Sequence, residues 1–386
     1  MRKLWLSFAA AACALTAAAA QAVVTPPFQT AMTGLDNPRG LAFGPDGALY
    51  VAEAGRGGTD PCGVGPEGAP EFAGASGAIS RLRHGVQQRI VTGLPSHAGA
   101  GGVAAIGPHD IAFGGFGFAH FSIGWGNNPA LRAECQPLGP MFGWLAALAP
   151  SRSWRPETDL AAYEAAANPD HGLPDSNPYG VLAEPGAIVA TDAGGNSLLR
   201  VGADGSVSTL ATFPSRAQGR STDSVPTAVV AVRRSGDSTN DDESEGDDNH
   251  SSDHADGRGG RSGNVYYVGE LTGAPFLPGQ ANVYRVVPGQ TPTVFLSGFS
   301  FIIDLAVGRD GSLYVLEFAT GPGLSGPGDL WRVRPSGTTR TLVASGFVAP
   351  GSVAIGGDGA LYVSNCSIFP GAGPFPCNGN VVRIAP

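Results

Sequence analysis

The chain has 386 residues, with 59 glycines, 32 prolines, 42% hydrophobic residues and a net charge of −9 from 23 basic and 32 acidic side chains. No basic patch is present that could neutralise phosphates, which excludes nucleic acid as a partner. There is no lysine after Lys3, which excludes Schiff-base and lysine-base chemistry.

Met1 to Ala22 read as a cleavable secretory signal: Arg2 and Lys3, an Ala/Leu-rich run, then Ala20-Gln21-Ala22 as a small-residue cleavage site. A lipid anchor at Cys13 is the alternative, but Ala10 stands where such a motif carries Leu. Cleavage after Ala22 leaves 21 basic and 32 acidic residues, a net charge of −11. The apolar run is too short to span a membrane and no later stretch is long enough, so the protein is expected to be periplasmic or secreted. The rest, residues 23–386, is expected to form a single domain.

The phrase Pro38-Arg39-Gly40-Leu41-Ala42-Phe43-Gly44-Pro45-Asp46-Gly47-Ala48-Leu49-Tyr50-Val51-Ala52-Glu53 holds two apolar runs around an Asp-Gly turn, the signature of a β-hairpin. It recurs from Ile302 to Glu317 and from Pro350 to Asn365, and in degenerate form from Pro108 to Trp125. Each copy is followed by a Gly-x-apolar-x-Arg strand, as at Gly77 to Leu82, and by a further strand such as Arg89 to Leu94. Hairpin repeats at a spacing of roughly 40 to 60 residues point to a β-propeller. The last repeat stops one strand short, after Val381 to Ile384, and the missing strand stands at the other end as Phe28 to Leu35. The fold expected is all-β, a six-bladed propeller of the NHL or SMP30 kind, whose N-terminal strand closes the last blade and leaves no open edge.

Two insertions interrupt the repeats. Residues 156–177, between blades two and three, contain an Ala-rich helix from Asp159 to Asn168 with Pro169 beyond it. Leu160, Tyr163 and Ala167 are expected to share its buried face, and the helix to cover part of the face where the inner strands begin. Residues 235–262 hold nine acids against Arg258 and Arg261 and cannot bury a core, so a disordered loop in blade four is expected. The mature chain keeps four cysteines; Cys366 with Cys377 inside one blade, and Cys62 with Cys135 between blades one and two, are the expected disulfides.

In a propeller, inner strands start and second strands end at the same rim of the central channel. The second-strand ends are Glu53, Asp192, Glu270, Glu317 and Asn365, an oxygen-rich set that suits a divalent cation, calcium first. The inner-strand starts add Arg39, His109, Asp110, Tyr179 and Asp304, with His109 and Asp110 as the candidates for general-base work. The competing reading is structural. Such acids also cap strand-end N–H groups or pair with the repeated Arg81, Arg200, Arg285, Arg332 and Arg383. Asp110 and Asp304 stand apart from this reading, because sister positions hold Gly40, Gly180 and Ser352. No nucleophile elbow, zinc-protease helix or phosphate loop is present. His97 and His171 are read as packing or surface residues.

Gly34 to Gly55, Ile90 to Ser96, Ala162 to Val181 and Phe295 to Glu317 resemble the ScyD/ScyE family of exported six-bladed propellers, named for the cyanobacterial scytonemin cluster. The most specific stretches are Ala165-Ala166-Ala167-Asn168-Pro169-Asp170 and Asp175-Ser176-Asn177-Pro178-Tyr179-Gly180. The resemblance implies an exported propeller acting in late pigment or secondary-metabolite assembly and carries no catalytic residues over. Three functions follow as expectations: a small-molecule or metal binder of the central funnel; a calcium-dependent lactonase using Glu53, Asp192, Glu270 and Asp304 with His109 or Asp110 as base; and a non-catalytic interaction scaffold. A closed ring needs no partner subunit, so a monomer is expected.

Overall fold

The computed structural model describes residues 28–65, 68–217, 221–233, 264–335 and 339–385. The expected signal segment, 1–22, and the acidic insertion, 235–262, lie outside the described residues.

Six antiparallel sheets form the blades of a ring. Blade one is built from Pro38–Phe43, Leu49–Glu53, Pro70–Arg83 and Val86–Ala98, and blade two from Pro108–Phe113, Ala119–Ile123, Trp144–Leu148 and Trp154–Asp159. Blade three runs from Pro178–Glu184 to Val207–Thr212, blade four from Pro226–Arg233 to Thr293–Phe299, and blade five from Ile302–Val307 to Arg340–Phe347. Blade six joins Ser352–Ile355, Leu361–Asn365 and Asn380–Ile384 to the N-terminal strand Gln29–Met32, which pairs with the chain's last strand through Thr30 and Val382. This is the closure read from the sequence.

The Asp-Gly turns set the outer face of the ring. In blades one, five and six, Asp46, Asp310 and Asp358 accept the N–H two residues on, and the following Gly47, Gly311 and Gly359 have φ of +72°, +75° and +82°. Such backbone is open to glycine and strained for other residues. The repeated third-strand arginines bind these turns rather than the rim acids. Arg332 reaches Asp310 at 2.5 Å, Arg383 reaches Asp358 at 2.7 Å, and Arg81 stands 3.7 Å from Asp46. The register explains it, since each arginine lies opposite the tyrosine that leaves the turn: Tyr314, Tyr362 and Tyr50.

Alternating apolar residues fill the space between blades. Ile79 and Val91 of blade one pack with Phe121, Ile123, Trp125 and Phe142 of blade two, all nearly fully buried. Each such side chain contributes about 2 kcal/mol. Blades one and two also depart from the repeat. Pro70–Arg83 and Val86–Ala98 continue past the blade as a flap, on which Asp60–Val64 adds a further strand. A disulfide from Cys62 to Cys135 ties this flap to the insert of blade two, and Cys366 is bonded to Cys377 in blade six. Both pairings are those expected.

The helix runs Leu160–Ala167, with Asp159 capping Ala162 N–H and Asn168 in the left-handed conformation at its end. Its buried residues are Leu160, Ala161 and Glu164, whereas Ala167 is exposed. Ala161 sets this rotation by fitting against Gly143, whose carbonyl accepts its N–H. Residues 156–159, expected in the connection, belong to the outer strand of blade two. The helix is wedged between blades, with Leu160 in the core of blades two and three and Tyr163 Oη 2.9 Å from Thr209 Oγ1. The segment set against Arg39 is instead residues 99–107, where Ala104 N–H reaches Ile368 of blade six.

Candidate functional site in the channel

Each second-strand acid is spent within its own blade. Glu53, fully buried, accepts from Asp36 N–H at 2.7 Å, Ser80 Oγ at 2.6 Å and Arg89 Nη2 at 2.7 Å. Asp192 accepts from Ser176 Oγ and from the N–H groups of Asn177, Gly194 and Gly195. Glu270 accepts from Ser224 Oγ and Asn282 N–H, Glu317 from Ser300 N–H and Trp331 Nε1, and Asn365 from Val348 N–H. These residues hold the turn that enters each inner strand. That turn needs holding, because Asn37, Val225, Phe301 and Ala349 adopt φ between +41° and +55° at its end. The oxygen-rich ring expected for a cation is therefore not assembled. Among the described residues no three His, Cys, Asp or Glu side chains come together in a way that could hold a metal ion.

The five inner-strand residues behave differently. Asp110 and Asp304 occupy the same position of blades two and five, opposite each other in the ring. Each is partly buried and walled in by protein, as expected of a group lining a channel. Asp110 bridges to the next blade through Val181 N–H at 2.7 Å, and Asp304 does so through Val353 N–H at 2.8 Å and Ser352 Oγ at 2.6 Å. Gly40 is required beside Asp110, since a Cβ there would fall on its carboxyl and Cα. Burial pushes both acids up, Asp304 to about 6, and the charge of Asp304 raises Asp110 further.

His109 is buried, with Nδ1 3.1 Å from the Pro178 carbonyl. A carbonyl accepts, so Nδ1 carries the hydrogen and Nε2 keeps its lone pair. Burial, then the charge of Arg39, hold the ring neutral by lowering its pKa to about 3. Gly124 makes room for it, because a Cβ there would strike the imidazole. The ring lies 4.6 Å from that of Tyr179, whose phenol burial pushes up. Arg39 donates through Nη2 to Ala105 O at 2.9 Å and is 8% exposed; Tyr179 is 9% exposed. Arg39 Nε and Tyr179 Oη are both buried and neither makes a hydrogen bond of good geometry, although the Arg39 guanidinium lies close enough to the phenol to favour its ionised form. A buried guanidinium N–H without a well-placed acceptor calls for an explanation.

Three features here escaped sequence reading. Asn37 is a fully buried hub that donates to Gly55 O and Gly102 O and accepts from Ala105 N–H, which positions the carbonyl on Arg39. His97 is a buried packing residue as expected, but Glu71 Oε2 lies 2.5 Å from its Nδ1 and the Trp125 carbonyl 3.1 Å from its Nε2; His171 is exposed. Glu164 is a buried carboxyl with Oε1 unpartnered, pushed up to about 8 by burial and then by Asp192, Asp170 and Asp175.

Fold and site together define a six-bladed propeller whose inner strands carry one buried polar cluster. Solved structures share the ring. An α-L-arabinanase of Penicillium chrysogenum matches over 95% of this chain and 99% of its own, at 12% identity and a TM-score of 0.52. A protein of unknown function from Bacteroides thetaiotaomicron matches over 91% and 70%, at 8% identity and a TM-score of 0.51. A putative gluconolactonase matches over 94% and 92%, at 9% identity and a TM-score of 0.49. At these identities the likeness concerns the fold alone. No family model matches the chain and no curated protein matches its sequence. Two disulfides fit an oxidising, extracytoplasmic setting, and among the described residues no helix is long and apolar enough to cross a membrane.

Proposed function

We propose that the protein is an exported propeller that binds a small oxygen-bearing molecule at the inner-strand cluster of Arg39, His109, Asp110, Tyr179 and Asp304. The observation that carries this reading is the buried Arg39 Nε without a well-placed acceptor, set against the buried phenol of Tyr179. A carbonyl or carboxylate oxygen of a ligand would accept from both. His109 Nε2 and the two aspartates would complement a hydroxyl on the same ligand, so small hydroxycarboxylic acids and their lactones form the matching class. Resemblance to ScyD/ScyE proteins adds a setting, late secondary-metabolite or pigment assembly outside the cytoplasm.

A hydrolytic reading draws on the same residues. The lone pair of His109 Nε2 can take a proton, weakly for a ring whose pKa lies at about 3, and the carboxyls of Asp110 and Asp304, pushed up by burial, can supply one. The metal-assisted version keeps fewer ligands, because Glu53, Asp192 and Glu270 serve their own blades. A calcium ion would be left with Asp304 and Asp110.

Thermal shift against hydroxy acids and sugar lactones, with and without EDTA and added calcium, tests this reading. A ligand-specific rise that disappears in Arg39→Gln supports it. A rise retained in Arg39→Gln, or none with any compound, contradicts it. Lactone turnover abolished by His109→Gln would select the hydrolase.

A further inference from the structure

The two disulfides sit in opposite surroundings. Cys62 and Cys135 are 5% and 0% exposed, enclosed between the flap and the insert of blade two. Cys366 is 1% exposed, but its partner Cys377 is partly exposed on a Pro/Gly loop. Two side-chain amides donate to the buried sulfur: Asn365 Nδ2 at 3.4 Å and Asn380 Nδ2 at 3.7 Å from Cys366 Sγ. Donors aimed at sulfur favour its thiolate, and a stabilised thiolate is the better leaving group. Cys366 also holds a φ of +57°, a left-handed conformation uncommon for a residue with a side chain. Beside this loop opens a cavity of about 460 Å³, lined by Thr30, Thr33, Gly371, Asn378, Gly379 and Asn380.

We propose that Cys366–Cys377 is a thiol-exchange site that latches the channel mouth. A small thiol enters beside Asn378, and its thiolate attacks Cys377 Sγ. The S–S bond breaks and its electron pair leaves on Cys366 Sγ, where Asn365 and Asn380 receive the charge. A second thiolate then displaces Cys377 from the mixed disulfide. The protein disulfide gains two electrons, two thiols are oxidised to one external disulfide, and each cysteine thiolate takes its proton from water.

The latch follows from what the loop holds. Phe369 O accepts Asn37 N–H at 3.0 Å, Ile368 O accepts Ala104 N–H at 2.8 Å, and Gly371 N–H donates to Asp36 Oδ1 at 2.8 Å. Asn37 and Ala105 in turn position Arg39. Opening the loop loosens the arginine that meets the ligand. The latch rests on the proposed ligand site, whereas the exchange chemistry does not.

The test uses the whole mature protein. It is equilibrated with graded dithiothreitol or glutathione, quenched with N-ethylmaleimide and mapped by peptide mass spectrometry, with circular dichroism on parallel samples. Cys366 and Cys377 should be alkylated at a thiol concentration at least tenfold below that needed for Cys62 and Cys135, while the fold is intact. Labelling of all four together, only as the fold melts, overturns the exchange site. Asn380→Ala should slow the exchange severalfold at unchanged Tm, and an unchanged rate overturns the assignment of Cys366 as leaving group. Selectively reduced protein should bind a ligand found by the thermal-shift panel severalfold more weakly. Equal binding overturns the latch and leaves the exchange standing, and a panel without ligands does not affect the alkylation result.

Discussion

The rim acids and the inner-strand cluster lie within the same ring and present opposite chemistry. Glu53, Asp192, Glu270 and Glu317 recur from blade to blade, and each is saturated by N–H or O–H donors of its own blade. Arg39, His109, Asp110 and Tyr179 each differ from most of their sisters, and the cluster retains a buried donor, Arg39 Nε, without a well-placed acceptor. A residue copied by duplication serves what every blade needs, an anchored entry to its inner strand. A residue that departs from the copy is free to serve something else. Recurrence in a propeller therefore marks architecture, and departure from it marks candidate chemistry.

The contrast can be broken most forcefully at the rim. Glu53→Ala leaves Ser80 and the Asp36 N–H without their buried acceptor, while Arg89 keeps Asp36 and Gly34, and each buried group left unsatisfied costs about 1–3 kcal/mol. Urea unfolding should show that loss with the slope m unchanged. A loss within about 0.5 kcal/mol would mean the acid is not needed by the fold. The cluster should answer in the reverse way. Tyr179→Phe removes a buried hydroxyl whose contact with Arg39 falls short of a well-formed hydrogen bond, so stability should change by no more than about 1 kcal/mol. Ligand affinity should fall about tenfold, the worth of one lost hydrogen bond to an anionic or carbonyl oxygen.

Glu164 sharpens the comparison from outside both regions. Its folded pKa, about 8, lies above the usual carboxylate value of 4.5. The folded state therefore binds its proton more tightly than the unfolded state does. The resulting stability is fully present below pH 4.5 and is lost as pH rises towards 8. Glu164→Gln removes that dependence. Its Tm should match wild type at pH 5 and exceed it by a few degrees at pH 9. Equal Tm values at both pH values would show that Glu164 is solvated.

Much of the fold was legible because it repeats. Asp-Gly turns, alternating strands and the split last blade gave the blade number and the closure, and cysteine placement gave both disulfides. The flap of blade one was not legible, since Pro70–Arg83 and Val86–Ala98 are ordinary blade strands that run on. The helix face was misjudged because periodicity favours apolar residues, whereas the fit of Ala161 to Gly143 turns charged Glu164 inward. At the site, Arg39, His109, Asp110, Tyr179 and Asp304 were legible as inner-strand starts, and only Asp110 and Asp304 as departures from the repeat. That the rim acids are taken up by their own blades was not, because their donors are main-chain N–H groups together with side chains, such as Ser80, Ser176, Ser224 and Trp331, that follow no repeated spacing.

The most direct measurement is a thermal-shift comparison of wild type, Tyr179→Phe and Glu317→Gln against one panel of hydroxy acids and lactones. Glu317→Gln should melt lower than wild type, having weakened its bonds to Ser300 and Trp331, yet rise by the same increment with ligand. Tyr179→Phe should melt like wild type and lose most of the rise. Ligand response lost in Glu317→Gln and kept in Tyr179→Phe would contradict the account and return the site to the rim.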